Sequence, residues 1–436
     1  MAEEREVHLT KNVFVAGASP SITYNPRDDR HLEQELTAYL EQGPGRALSV
    51  SGPTKSGKTV LVERALPRDE AIWVAGQDLH SVEVFWDRIV DWLGLYDLVE
   101  VTRQETDEKG KELGMDVGVP KLASINAKKK DGASVAKGVR KSRTQAVTSV
   151  ARAALEEVNV PVVIDDFHYV DEDARQEMAR AIKSVIPFTK VILIAVPHEA
   201  FDVVRNEADM GGRLSQLRIE LWSVDELRFI AERGFDALNI EDQHSVGDKL
   251  ARASYGAPFL MQDLCYQYAV ILGVVKTADD PVAAVAPKWK DFFARIANRT
   301  PPVIFDHLLK GPKTRGQRRV PRVFKTGVST DVYGALLYGI ARAGKASVTY
   351  QQLARVIERD FTEAIAGQQI TASLGHMATV ALENRGTGDP AVAYKDDVLH
   401  VVDPFLLFYL RHGTWDVGKD MEEQGELGDD GASEVA

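Results

Sequence analysis

Residues 49–60 read SVSGPTKSGKTV. An apolar stretch, ALSVS (47–51), has the character of a buried strand, and TVLVERAL (59–66) after it has helical spacing. Between them Gly52-Pro53-Thr54-Lys55-Ser56-Gly57-Lys58-Thr59 satisfies G-x-x-x-x-G-K-[ST]. Gly52 and Gly57 let the backbone turn with no Cβ in the way, so successive N–H groups can converge on phosphate oxygens. The helix that follows adds its positive N-terminal end. Lys58 can reach the β and γ phosphates, and the Thr59 hydroxyl can ligate Mg²⁺. The loop from Gly52 to Val60 therefore reads as a site for ATP or ADP with Mg²⁺.

A second motif lies about 110 residues on. VVIDDFHYV (162–170) puts Asp165 and Asp166 directly after a buried strand. Parallel sheets present ligands at the carboxyl ends of their strands. Asp165 is thus placed to hold Mg²⁺ beside Thr59, and Asp166 to act as general base on the attacking water.

Outward from these motifs, AIWVAG (71–76) and KVILIAV (190–196) read as further strands. SVEVFWDRIVDWLGL (81–95), TQAVTSVARAALEEV (144–158) and DEDARQEMARAIKSVI (171–186) read as helices. Such alternation predicts an α/β core, a parallel sheet with helices on both faces. Residues 103–143 read as an inserted hairpin: Leu113, Met115, Val117 and Val119 alternate, and Asp131-Gly132 offers a turn. Residues 223–275 are helical throughout. The prolines and glycines of 276–330 suggest a connector, part of it ordered, and 331–415 a third unit.

The chain has 436 residues, enough for two or three domains. It has no apolar run long enough for a transmembrane helix, and MAEEREVHLTKN is no signal peptide. Cys265 is the only cysteine, which excludes an internal disulfide and a multi-cysteine zinc site. A cytoplasmic protein with no membrane partner is expected. The net charge of −12 argues against a general nucleic-acid coat. The charge is segregated, however. Eight basic residues lie in 120–143, among them Lys128, Lys129 and Lys130, against one acid. Seven lie in 307–330, among them Arg315, Arg318, Arg319 and Arg322, against none. The segment 416–436 carries eight acids and reads as disordered.

GPTKSGKT, VVIDDFHY and the αβ order together resemble the AAA+/STAND group of P-loop ATPases, across roughly residues 10–410. Ile164-Asp165-Asp166 is similar to the hhhhDD of STAND members. That resemblance implies further assignments. TYNPRDDRHLEQEL is similar to the leader beside the adenine, which assigns Tyr24, Pro26 and Arg27 within residues 1–46 to the base. Ser254-Tyr255-Gly256-Ala257-Pro258 resembles the G-x-P motif of the helical lid (223–275), whose proline contacts adenine. GGRLSQLRIELWS resembles the stretch with an arginine finger, with Arg213 the first choice and Arg218 the second. Val196-Pro197-His198 departs from the polar end of the family's sensor strand, which leaves His198 either a γ-phosphate sensor or a surface histidine.

The last unit adds to the resemblance. DVYGALLYGIARAG, VTYQQLARVIERDF and QQITASLGHMATVALENR, then DDVLHVVD, look like a winged helix. Its third helix shows Gln368, Gln369, Thr371, Ser373 and His376 on its exposed face, and only Arg385 near its end, thin for reading DNA. The fold class expected is thus a P-loop NTPase parallel sheet with a helical lid and a C-terminal winged helix. The resemblance implies an ATP-hydrolysing switch that assembles with its own kind, whose effector is either a separate partner or cryptic in the chain, with bacterial or archaeal defence as one role such switches serve. The alternative is an ATPase that remodels DNA through Arg315, Arg318, Arg319, Arg322 and the Lys128–Lys130 tip. A nucleotide-binding scaffold without turnover is the third reading.

Overall fold

The computed structural model describes residues 6–95, 144–195, 212–243, 245–313, 319–385 and 390–416. The hairpin expected at 103–143 with Lys128, Lys129 and Lys130, and Val196-Pro197-His198, lie outside the described residues. So do Arg315, Arg318 and the acidic segment from 417. The chain divides into two units. One comprises Pro26–Gly52 and Gly57–Glu220; the other comprises Met1–Asn25, Pro53–Ser56 and Leu221–Ala436. The segment 1–46 is thus shared between them.

The first unit is built on five parallel strands: β1 (Ala47–Ser51), β2 (Ile72–Ala75), β3 (Val162–Asp165), β4 (Val191–Ala195) and β5 (Leu214–Arg218), in the order β2-β3-β4-β1-β5. Alternation sorts each strand's side chains between two faces. Val162, Ile164, Val191 and Leu193 pack with Phe85, Ile89, Val150, Leu155 and Met178 of helices Val82–Leu93, Thr144–Val158 and Glu172–Val185. Leu48, Val50, Val163, Ile192 and Ile194 pack with Leu36, Leu61 and Val62 of helices Leu32–Glu41 and Lys58–Ala65. Both faces are covered, which is why VVID and VILIA are apolar at almost every position. β5, at the sheet edge, keeps only Leu217 fully buried.

The second unit is mostly helical. Val224–Leu238 opens with a capping box of Ser223 and Glu226. Val246–Ala253 and Pro258–Ile271 follow, the last with Pro258 in its first turn. Residues 8–10 run against 274–277: the Thr10 amide donates to the Val275 carbonyl, and the Thr277 amide to that of His8.

The stretch 276–330 holds more structure than its prolines and glycines suggest. Trp289–Ala297 and Val303–Lys310 are helices, and they bury Phe292, Phe293, Ile296, Phe305, Leu308 and Leu309. Those apolar positions are spaced as one helical face.

Three described residues of the basic run that the DNA-binding alternative would place on phosphate, Arg319, Arg322 and Lys325, have partners within this unit. Arg319 is ion-paired to Asp331, which is 1% exposed, and donates to the Pro312 carbonyl oxygen. Its guanidinium lies 4.6 Å from the Tyr333 ring centroid. Asp331 in turn caps the helix Val332–Ala343, accepting from the Tyr333 and Gly334 amides. Arg322 donates to the Gln369 side chain, and Lys325 to the Glu358 and Arg359 carbonyls. Arg319→Ala would strand a buried carboxylate, at a cost of about 3 kcal/mol. A urea melt should show that loss; an unchanged midpoint would return Arg319 to the surface role.

After Asp331 come helices Val332–Ala343, Tyr350–Asp360 and Gly367–Glu383. The third buries Ile370, Leu374, Met377 and Ala381. Strands Ser347–Thr349, Val398–Val401 and Val392–Lys395 form an antiparallel sheet in that spatial order. Asp396 and Asp397, both at positive φ, turn the hairpin between the last two. Helix Pro404–His412 follows the sheet. Among the described residues no helix is long and apolar enough to cross a membrane.

Candidate nucleotide site

β1 ends at Ser51, and the chain enters the loop at Gly52. A Cβ at Gly52 would collide with the Ile219 carbonyl oxygen just beyond β5, so this position admits only glycine. At the other end Gly57 sits at φ 92° as N-cap of helix Lys58–Ala65. Its amide and those of Lys58 and Thr59 belong to the helix's first turn, whose N–H groups lack intrahelical acceptors. Lys58 is buried, and its Nζ donates to the Gly52 carbonyl oxygen at 2.9 Å, so the ammonium stands inside the loop.

Thr59, one turn position on, points to β3. Its Oγ1 donates to Asp165 Oδ1 at 3.1 Å. Asp165 also accepts the Asp166 amide at 3.0 Å. Burial pushes the Asp165 carboxyl up; Thr59, the Asp166 amide, and the Arg68 and Lys58 charges pull it back. Asp166 adopts the left-handed backbone, φ 52°, and reaches solvent. Its carboxyl is also raised, by desolvation and then by the Asp165 charge, with Lys58 opposing. The Asp165 carboxylate beside the Thr59 hydroxyl is a pair of hard oxygen donors that suits Mg²⁺, with the Asp166 carboxylate next to it.

A cavity of about 400 Å³ opens beside both acids, lined also by Arg68, Trp73, Asp78 and Arg88. Arg68 lies over the Trp73 ring and is paired to Glu63. His168 is buried, with Nδ1 lacking a hydrogen-bond partner among the described residues. Burial, then the Lys58 and Arg175 charges, pull it down to about 4, so it is neutral and adds no cation beside Lys58.

The structure thus brings Gly52, Gly57, Lys58, Thr59, Asp165 and Asp166 to one end of the sheet. Arg213 is elsewhere. β1 and β5 run parallel with Ala47 opposite Leu214 and Ser51 opposite Arg218, so Arg213 precedes the strand at the far end. Five residues of strand put it about 16 Å from the Arg218 level. Arg213 and Arg218 are both exposed, and only Arg218 stands at the loop end of its strand. An Arg213 finger could therefore serve only another molecule's site.

Of the leader residues, Arg27 is buried, at φ 56°, and donates to the Glu220 carbonyl oxygen at 3.2 Å. Tyr24, Pro26 and Pro258 are half-buried. Two residues escaped the sequence reading. Gly76, after β2, has no room for a Cβ because the Asp166 carbonyl oxygen lies against it. Trp222 donates from Nε1 to the Ser56 carbonyl oxygen at 2.9 Å.

The whole-chain fold is similar to known P-loop ATPases. Against a Walker-type ATPase of Pyrococcus abyssi the TM-score is 0.50 at 14% identity, covering 88% of this chain and 97% of that one. Against the ORC2 protein of Aeropyrum pernix, in ADPNP–ADP complexes, it is 0.51 at 12% identity, covering 96% and 98%. A STAND protein of Pyrococcus horikoshii with a tetratricopeptide repeat sensor scores 0.35 at 14% identity, covering 90% and 44%. No protein-family model and no curated protein sequence matches the chain. The chain has the fold of the P-loop AAA+ ATPases.

Proposed function

We propose that this protein binds and hydrolyses ATP at the loop of Gly52–Val60, and that its nucleotide state governs its conformation and self-assembly. The observation that carries the reading is the 3.1 Å bond from Thr59 to Asp165 beside the buried Lys58. Thr59 and Asp165 would hold Mg²⁺, which supplies charge neutralisation on the β and γ phosphates. Lys58 exchanges its loop carbonyl for phosphate oxygens. Asp166 orients the attacking water and takes its proton. Tyr24, Pro26, Arg27 and Pro258 are assigned to the adenine, and Arg213 of a second copy to the γ phosphate. The segment 223–275 would be the lid and 331–415 a winged helix in a regulatory role, signalling to a separate effector. A place in antiviral defence rests on the resemblance alone.

DNA remodelling is the less favoured reading. Arg319, Arg322 and Lys325 are engaged within the protein. The third helix exposes Gln368, Ala372, His376, Thr379, Leu382 and Glu383, without an arginine or lysine; of the residues expected on that face, Ser373 is buried and Gln369 and Thr371 are half-buried. Hydrolysis measured with and without double-stranded DNA, at two salt concentrations, separates the readings. A rate indifferent to DNA is expected. Salt-sensitive stimulation would overturn the preference.

A further inference from the structure

The apex of the phosphate loop is gripped from outside the loop. Lys55, the fourth residue of GPTKSGKT, holds the left-handed backbone at φ 61°, an uncommon state for a residue with a Cβ. Its Nζ lies 3.7 Å from the centroid of the Phe405 ring and 5.0 Å from that of Phe259. The two rings meet edge to face, with centroids 5.4 Å apart. Phe259 follows Pro258 in the first turn of its helix, and the backbone of Gly17 packs against its ring. Phe405 is in the first turn of helix Pro404–His412, and its amide donates to the capping Asp403 at 2.8 Å. Burial raises the Asp403 carboxyl, and the Lys55 charge pulls it down. One residue past Lys55, Trp222 holds the Ser56 carbonyl. Residues 53–56 accordingly belong to the unit that contains this C-terminal helix.

None of these contacts is required to cradle phosphate, which the backbone, Lys58 and Thr59 do by themselves. We propose that Phe405 is a positioning residue for the phosphate loop: through Lys55 the C-terminal helix holds the loop apex in its present form and slows nucleotide release. The effect on release rests on the nucleotide reading above. The grip itself does not.

The test uses the full chain with four changes: Phe405→Leu, which keeps apolar volume without a π face; Phe405→Tyr, which keeps the ring; Lys55→Met, which keeps the stem without charge; and the Phe405→Leu/Lys55→Met double. Two quantities are read: amide exchange across residues 53–58, and release of a fluorescent ADP analogue. Phe405→Leu and Lys55→Met should each speed exchange and raise the release rate roughly two- to fivefold, the range for an exposed cation–π contact. The double should do no more than either single, and Phe405→Tyr should stay near wild type. Unchanged or slower release and exchange in both singles overturns the proposal, as does multiplication of the two effects in the double. If the wild type binds no ADP analogue, the nucleotide reading fails by itself. Loop exchange then decides the grip: faster in Phe405→Leu sustains it, unchanged refutes it.

Discussion

Lys58→Ala should abolish detectable nucleotide binding at micromolar protein while leaving the fold intact. Lys58 is the one buried cation placed inside the Gly52–Thr59 loop among the described residues, and its Nζ donates to the Gly52 carbonyl. Its partner on binding is a charged oxygen, and hydrogen bonds to charged groups contribute about 1.5–3 kcal/mol each. A loss in that range weakens affinity roughly tenfold to a hundredfold per bond. The side chain can serve two phosphates, so the total loss should lie at or above the upper end. Isothermal titration with ADP, beside a thermal melt of the unliganded variant, measures both halves. Wild-type affinity in Lys58→Ala would mean that the loop is not the phosphate site.

Asp166→Asn should do the reverse, keeping nucleotide and losing turnover. Its carboxylate reaches solvent at the mouth of the cavity and is set at an angle by its left-handed backbone. General-base catalysis contributes roughly a hundred- to ten-thousandfold, and an amide cannot accept the proton. The substitution also removes the repulsion with Asp165, so nucleotide affinity should hold or rise while the rate falls. Single-turnover hydrolysis read against ADP affinity separates the two. Equal loss of both would place Asp166 with the metal instead of with the water.

Much of this site was legible because its parts are local in sequence. The glycine spacing of 52–57, the Lys58-Thr59 pair and the acids after VVI each lie within a few residues, and backbone geometry alone brings them to the carboxyl ends of parallel strands. The strands themselves were legible for a related reason: a sheet covered on both faces needs apolar residues at nearly every position. β5 escaped because an edge strand has no such need, and LSQLR buries only Leu217 fully. Trp222 escaped because its contact with Ser56 spans 166 residues, and nothing in the local pattern marks it. Gly76 escaped because its neighbour, the Asp166 carbonyl, arrives from another strand. Arg319 misled for an electrostatic reason. A run of seven basic residues without an acid reads as a surface, yet the acid that neutralises Arg319 is Asp331, just past the end of the run. The buried faces of 289–297 and 303–310 were written plainly in their helical spacing, but the flanking prolines read as a linker.

The most direct test of the central claim is phosphate release from ATP by the purified chain, with Mg²⁺ and with EDTA, beside Lys58→Ala. The account predicts slow release that needs Mg²⁺ and vanishes in the variant, because Thr59, Asp165 and Lys58 act on the same phosphates. Release that is equal in wild type and Lys58→Ala, or indifferent to EDTA, would contradict it.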